Sequence, residues 1–260
     1  MLPASKVLVR ERVPSKEGHK MHGSEVLGQA RAALKREAHA AKAAVFRGFF
    51  KDTAGDVFLG VSAPVIRKIA KEFEALPLGS LQTLMHSGVH EERSLAHAIL
   101  RKRFSQGSAR EQEIIYKFYL KNRTAIRAWD GVDDSAPYIV GAYLLHREKS
   151  LLSTLARSER LWDRRIAIVS TAWFIRNGQT AVTFRIARML LHDPEDLIHK
   201  ATGWMLREAG KRDLPALKQF LKTHQRTMPR TVLRYAIERF PEKERRTYLV
   251  GKNSRPQLNS

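Results

Sequence analysis

Apolar residues along most of this chain recur at intervals of three and four and seldom alternate, so the pattern predicts helices and almost no strand. Leu161, Ile168, Val169, Ala172 and Trp173 show the spacing well. Two helix starts are marked by composition. Asp193-Pro194 with Asp196 offers an N-cap, a proline in the first turn and an acid near the positive end of the helix, and Pro229 follows Met228 in the same manner. Helices are predicted over about 24–51, 62–75, 79–86, 90–104, 109–122, 134–147, 159–176, 179–191, 194–210, 214–224 and 229–239, with ends uncertain by ~2–4 residues. The expected fold class is therefore all-α, built from paired helices.

A weak period runs through these helices. Arg165, Lys200 and Arg234 sit at matching places 35 and then 34 residues apart, and Arg93 lies 72 residues before Arg165. Helix pairs repeating at this interval stack into a solenoid in which equivalent positions share a face, so the pattern predicts a helical-repeat superhelix with a basic concave surface. Chance alignment of abundant Lys and Arg is the competing explanation. Lys200, Trp204, Arg207 and Lys211 shift the balance: at i, i+4, i+7 and i+11 they set a tryptophan inside a cationic stripe suited to a phosphate backbone and a sugar or base. Trp204 as a core residue is the bland alternative, and Trp162 and Trp173, which have no such stripe, are assigned to the core.

Charge changes the picture more than composition does. The 260 residues contain 47 Lys and Arg against 26 Asp and Glu, a formal net charge of +21, which points to a nucleic acid partner. Residues 1–23 and 241–260 each hold five basic and two acidic groups, so most of the excess belongs to the body. Residues 1–23 read as a disordered extension, 24–245 as one repeat domain and 246–260 as a basic tail. The absence of cysteine excludes disulfides, thiolate metal sites and a cysteine nucleophile. The longest apolar stretch, Pro137 to Leu145, is far short of the ~20 residues of a membrane span. The ten histidines show no metal-ligand spacing, and no phosphate loop or dinucleotide fingerprint occurs, so neither metal nor cofactor is expected.

One short segment runs against the charge. Arg127 to Asp134 brings three aspartates and a tryptophan together, and exposed carboxylates weaken a polyanion-binding surface, so this island points to chemistry. An N-cap role for Asp133 ahead of the helix containing Pro137 is the plainer alternative, although Asp134 can serve as that cap instead.

Three segments then carry a resemblance: Asp56-Val57-Phe58-Leu59-Gly60-Val61, Trp129-Asp130-Gly131-Val132-Asp133 with Ser135-Ala136-Pro137 behind it, and Gly203-Trp204-Met205-Leu206-Arg207-Glu208. With Met228-Pro229-Arg230 through Leu233-Arg234-Tyr235-Ala236, their order and spacing over about residues 24–245 resemble the HEAT-like repeat DNA glycosylases of the AlkD type. The resemblance implies a right-handed solenoid that holds duplex DNA on its basic concave face. It also implies removal of N3- and N7-alkylated purines without burial of the base. On the matching positions it implies a catalytic aspartate at Asp133, tryptophans flanking the lesion's sugar at Trp129 and Trp204, and a phosphate-contacting arginine at Arg165. The periodic cations Arg93, Lys200, Arg207, Lys211 and Arg234 join Arg165 as expected DNA contacts. Ala128 departs from relatives that carry a second tryptophan there, which bears on loop packing more than on chemistry. The expected setting is that of a monomer acting on double-stranded DNA in a bacterial-type cytoplasm, at the nucleoid and away from membranes. The rival reading is a non-catalytic helical-repeat scaffold for DNA or RNA, which charge and repeats fit equally well and only the placement of Asp133 disfavours. A solenoid for acidic peptides is weaker still, because tryptophans in a basic stripe suit sugars and bases.

Overall fold

The computed structural model describes residues 23–50 and 55–250. It opens with α1 (Gly23–Arg36), α2 (Ala40–Phe49), α3 (Ala63–Glu72), α4 (Leu78–Met85), α5 (His90–Gln106) and α6 (Ala109–Asn122). A 3-10 turn at Arg123–Ala125 leads to α7 (Trp129–Asp133), a π-helical turn at Pro137–Gly141, α8 (Ala142–Leu144), α9 (Ser150–Ala156) and α10 (Leu161–Val169). Then follow α11 (Thr171–Arg176), α12 (Ala181–Met189), α13 (Asp196–Gly210), α14 (Leu214–His224), α15 (Arg230–Ala236) and α16 (Glu242–Val250). Among the described residues the one β-type contact is an isolated parallel bridge between Val57 and Val89. The fold is the expected all-α helical repeat.

Local chemistry explains several helix starts. Ser108 accepts from the Glu111 amide at 3.3 Å and Asp213 from the Ala216 amide at 3.0 Å, each satisfying a donor that the first helical turn leaves open. Pro64 and Pro215 occupy first-turn positions where no amide is needed. Apolar stripes then fix which way each helix faces: Ile66, Ile69 and Ala70 on α3, Leu217, Phe220 and Leu221 on α14.

The helices form two layers. In the inner row α5, α7, α10, α13 and α15 stand side by side, each touching the next. Behind them α3 and α4 back α5, α9 backs α10, and α11, α12 and α14 back α13. Arg93, Asp133, Arg165, Lys200 and Arg234 come one from each inner helix, so the period noted in the sequence is the repeat of this row.

Tertiary contacts cut three predicted helices. The helix expected over 24–51 is broken at residues 37–39, where the His39 amide donates to Leu59 O at 2.8 Å. The Leu59 loop comes this close because Gly60 has a φ of +79° and no Cβ; a methyl there would stand 2.3 Å from His39 O. The helix over 159–176 bends at Ser170, against which Gly141 lies. The helix over 134–147 gives way to the π turn and α8. The predicted cap at Asp193 is likewise displaced: its carboxylate pairs with Arg164 at 2.6 Å, and α13 begins at Asp196 with Glu195 as its N-cap. α9 lies outside every predicted helix, and α16 carries helix beyond the domain boundary expected at 245. The extension over 1–22 and the tail beyond 250 lie outside the described residues.

α13 and α15 pack backbone to backbone at Gly203. A Cβ on Gly203 would lie 2.5 Å from Tyr235 Cβ and 2.7 Å from Val232 O, so the two helices touch where residue 203 has no side chain. Gly203→Ala should force them apart. The gain in helix propensity, ~1 kcal/mol, is smaller than an overpacking cost of up to ~3 kcal/mol in which backbone must yield. We expect thermal unfolding to fall by several degrees, at roughly 2–4 °C per kcal/mol for a domain of this size. An unchanged or raised Tm would show that the row can open at no cost.

Candidate active site

α7 is short for reasons visible in its sequence. Ala128 ahead of it is extended and buried, Gly131 lies against His97, and the Ser135 hydroxyl turns back to Gly131 O as the helix ends. Within this one turn Trp129 and Asp133, four residues apart, share a face, and Asp130 and Asp134 share the next. Asp133 caps no helix: it is the last residue of α7, and its side chain turns to α10.

Arg165 meets that carboxylate edge to edge, with Nε 2.9 Å from Oδ1 and Nη2 2.8 Å from Oδ2. Its Nη1 donates to Leu197 O at 2.7 Å, so one guanidinium ties α7, α10 and α13 together. The Asp133 side chain is 16 % exposed and that of Arg165 6 %. Burial raises the Asp133 carboxyl above the ordinary carboxylate value, against the pull of Arg165 and with further push from Asp130 and Asp134. Neither partner is exhausted. Three of the guanidinium's five donors are used, and each carboxylate oxygen keeps an accepting position.

Trp129 stacks on Phe50, with ring centroids 5.2 Å apart and planes 11° from parallel, and its Nε1 donates to Phe49 O at 3.5 Å. Both tryptophan and phenylalanine edge a cavity of about 660 Å³, lined also by Phe46, Phe49, Ile66, Arg101, Asp130 and Asp134. Burial and the neighbouring Asp130 raise the Asp134 carboxyl, with Arg101 and Arg67 opposing.

The remaining expected residues divide. Lys200 is half exposed beside Arg165, whose charge it feels, and pairs with Asp196 at 2.8 Å. Trp204 is partly buried against the core one turn further along α13. Arg207 is joined to Glu208 and to Glu238 beyond α15, and Lys211 also pairs with Glu208, so acids offset the second half of the stripe. Arg234 is exposed on α15. Arg93 is about as buried as Arg165, 4 % against 5 % exposed, and its guanidinium meets Asp56 through two donors and Ser87 O at 2.8 Å, so it braces α5. Trp162 and Trp173 lie partly buried, Trp162 against the core and Trp173 edge-on to Tyr138. Sequence reasoning missed His90, which meets Asp130 at 2.9 Å; a lone histidine at a helix start carries no spacing signal.

Among the described residues no group of three or more His, Cys, Asp or Glu is arranged to hold a metal ion, and no helix is long and apolar enough to cross a membrane. The family model described as DNA alkylation repair enzyme matches residues 30–240. A solved structure, that of a predicted DNA alkylation repair enzyme from Enterococcus faecalis, is similar with a TM-score of 0.62 and 18 % identity over 79 % of this chain and 98 % of that one. No curated protein sequence matches the chain.

Arg165→Gln should raise the Asp133 carboxyl further, because it removes the cation that opposes burial. Carbon-13 NMR titration of the aspartate carboxyls reads this directly: the Asp133 signal should titrate at higher pH in the variant than in the parent. A midpoint that stays put or falls would mean that Arg165 does not control the ionisation of Asp133.

Proposed function

This chain belongs to the DNA alkylation repair enzyme family, and from that premise we propose that it is a monofunctional glycosylase hydrolysing the N-glycosidic bond of cationic N3- and N7-alkylated purines in duplex DNA. The observation that carries the reading is the Asp133 carboxylate, held on both oxygens by Arg165 yet still able to accept, beside Trp129 on a one-turn helix.

An alkylated purine of this kind already bears a positive charge, so it leaves without being protonated. As the bond from C1′ breaks, its electron pair goes to the base and neutralises it, and positive charge moves onto the deoxyribose. A carboxylate close to C1′ stabilises that charge where it develops and orients the water whose oxygen bonds to C1′ and whose proton is lost. The products are the free base and an intact abasic site. Trp129 and Trp204 offer indole faces to the charged sugar, each contributing ~0.5–2 kcal/mol. The two uncommitted donors of Arg165, with Lys200 and Arg234, supply phosphate contacts that fix register on the duplex. Arg207 and Lys211 add less, since Glu208 and Glu238 share their charge. The stretch Trp129 to Asp133 contains no lysine for a Schiff base, which favours hydrolysis over a covalent route.

Asp133→Asn should lower single-turnover release of 7-methylguanine by at least ~10²-fold, the size typical of losing one positioned electrostatic group. Duplex affinity should hold or rise, because a negative charge leaves a basic surface. Unchanged excision by the folded variant would remove Asp133 from the reaction. Lesion charge gives a second test: uracil and 1,N6-ethenoadenine, which are neutral, should persist under conditions that release 7-methylguanine. Efficient release of uracil would contradict the mechanism.

A further inference from the structure

Five residues are too few for a helix to hold its own orientation, so α7 is aimed by the partners of its side chains. Toward α10 the partner is Arg165. Toward α5 there are two contacts. Asp130 Oδ2 lies 2.9 Å from Nε2 of His90, with side chains 19 % and 9 % exposed, and Gly131 sits so near His97 that a Cβ would stand 3.1 Å from its ring.

His90 is fixed on every side. Its ring stacks on Phe58 at 4.7 Å and tilts against Phe50 at 4.5 Å, and Phe50 in turn stacks on Trp129. Nδ1 faces Nη2 of Arg93 at 3.5 Å, and Arg93 cannot swing away because Asp56 and Ser87 O hold it. The carboxylate of Asp130 only accepts, so Nε2 of His90 donates to it, and Arg93 closes off the Nδ1 side of the ring.

We propose that His90 is a positioning residue for the excision reaction: its Nε2–H holds Asp130, and through Asp130 the whole of α7, so that Trp129 and Asp133 keep their aim while DNA phosphate draws on Arg165. The consequence for activity rests on the glycosylase reading, but the mechanical consequence does not. Asp130 and Asp133 lie three residues apart on a helix with one polar anchor on each side, so releasing the α5 anchor leaves Arg165 as the one polar side-chain partner of its aspartates, beside the apolar contacts of Val132 and the stacking of Trp129 on Phe50.

Two variants separate the hydrogen bond from the ring. His90→Gln keeps an N–H donor and loses the stacking surface; His90→Phe keeps the ring and loses the donor. Single-turnover excision of 7-methylguanine should fall at least ~10-fold in His90→Phe at unchanged duplex Kd, the lower end of what a displaced catalytic group costs, and should stay within about threefold of the parent in His90→Gln. A parallel readout needs no activity. In protein labelled with 5-fluorotryptophan, the 19F signal that disappears in Trp129→Phe should shift or broaden in His90→Phe and hold in His90→Gln, while the other three tryptophan signals stay in place. The pattern of Gln retained and Phe impaired supports the proposal in either readout. If the parent releases no base but the 19F pattern holds, the glycosylase reading fails and the positioning role stands. Equal behaviour of His90→Phe and parent, or impairment of Gln in place of Phe, overturns it.

Discussion

The buried pairing of Asp133 with Arg165 is the constraint on which the rest of this molecule depends. Withdrawing both charges from water costs several kcal/mol per ion, and the cost is offset only when geometry is good and the remaining donors are satisfied. Here the fold supplies the geometry and part of the donor set: α10 gives the guanidinium, α7 the carboxylate and α13 the Leu197 carbonyl that takes a third N–H, with two donors left open. Arg165 therefore sets the register of three neighbouring helices and opposes the burial that raises the Asp133 carboxyl above the ordinary carboxylate value. Structure and proposed chemistry rely on the same two bonds.

The same logic explains how a chain of net charge +21 can place carboxylates in its working row. Asp56 with Arg93, Asp133 with Arg165 and Asp193 with Arg164 are each compensated at short range, so they take little from the field seen at a distance. What a polyanion meets is the exposed remainder, with Lys200 and Arg234 at the inner row. In the proposed reaction a cationic lesion, by contrast, would come within reach of a single oriented carboxylate. Long-range attraction and short-range stabilisation thus have opposite signs and separate ranges, and one surface can serve both.

Much of this was legible in the sequence, for identifiable reasons. Helical periodicity depends on burial of one face, and it located nearly all of the long helices. The spacing of Arg165, Lys200 and Arg234 marked the inner row because each repeat contributes one helix to it. Helix breaks at residues 37–39 and at Ser170 were not legible, since they arise from the Leu59 carbonyl and from Gly141, partners remote in the chain. Arg93 shows the limit most clearly. It obeys the same period as Arg165, and each pairs with an aspartate more than 30 residues earlier, Asp56 and Asp133, which no local pattern in the sequence marks. For the same reason Asp133 in sequence fits a helix cap as well as a catalytic group, and its turn toward α10 removes the cap.

If Asp133 is held ready to stabilise a charged sugar, then the parent protein should need nothing beyond water to act. The most direct measurement is to incubate it, in excess and without added metal or cofactor, with a duplex carrying a single 7-methylguanine, and to follow the free base and the DNA strand together. The account predicts release of 7-methylguanine in step with formation of an alkali-labile but otherwise intact abasic strand, and no protein–DNA adduct after borohydride. Tight binding of the duplex with no release of the base would contradict it and leave a helical scaffold that holds DNA without repairing it.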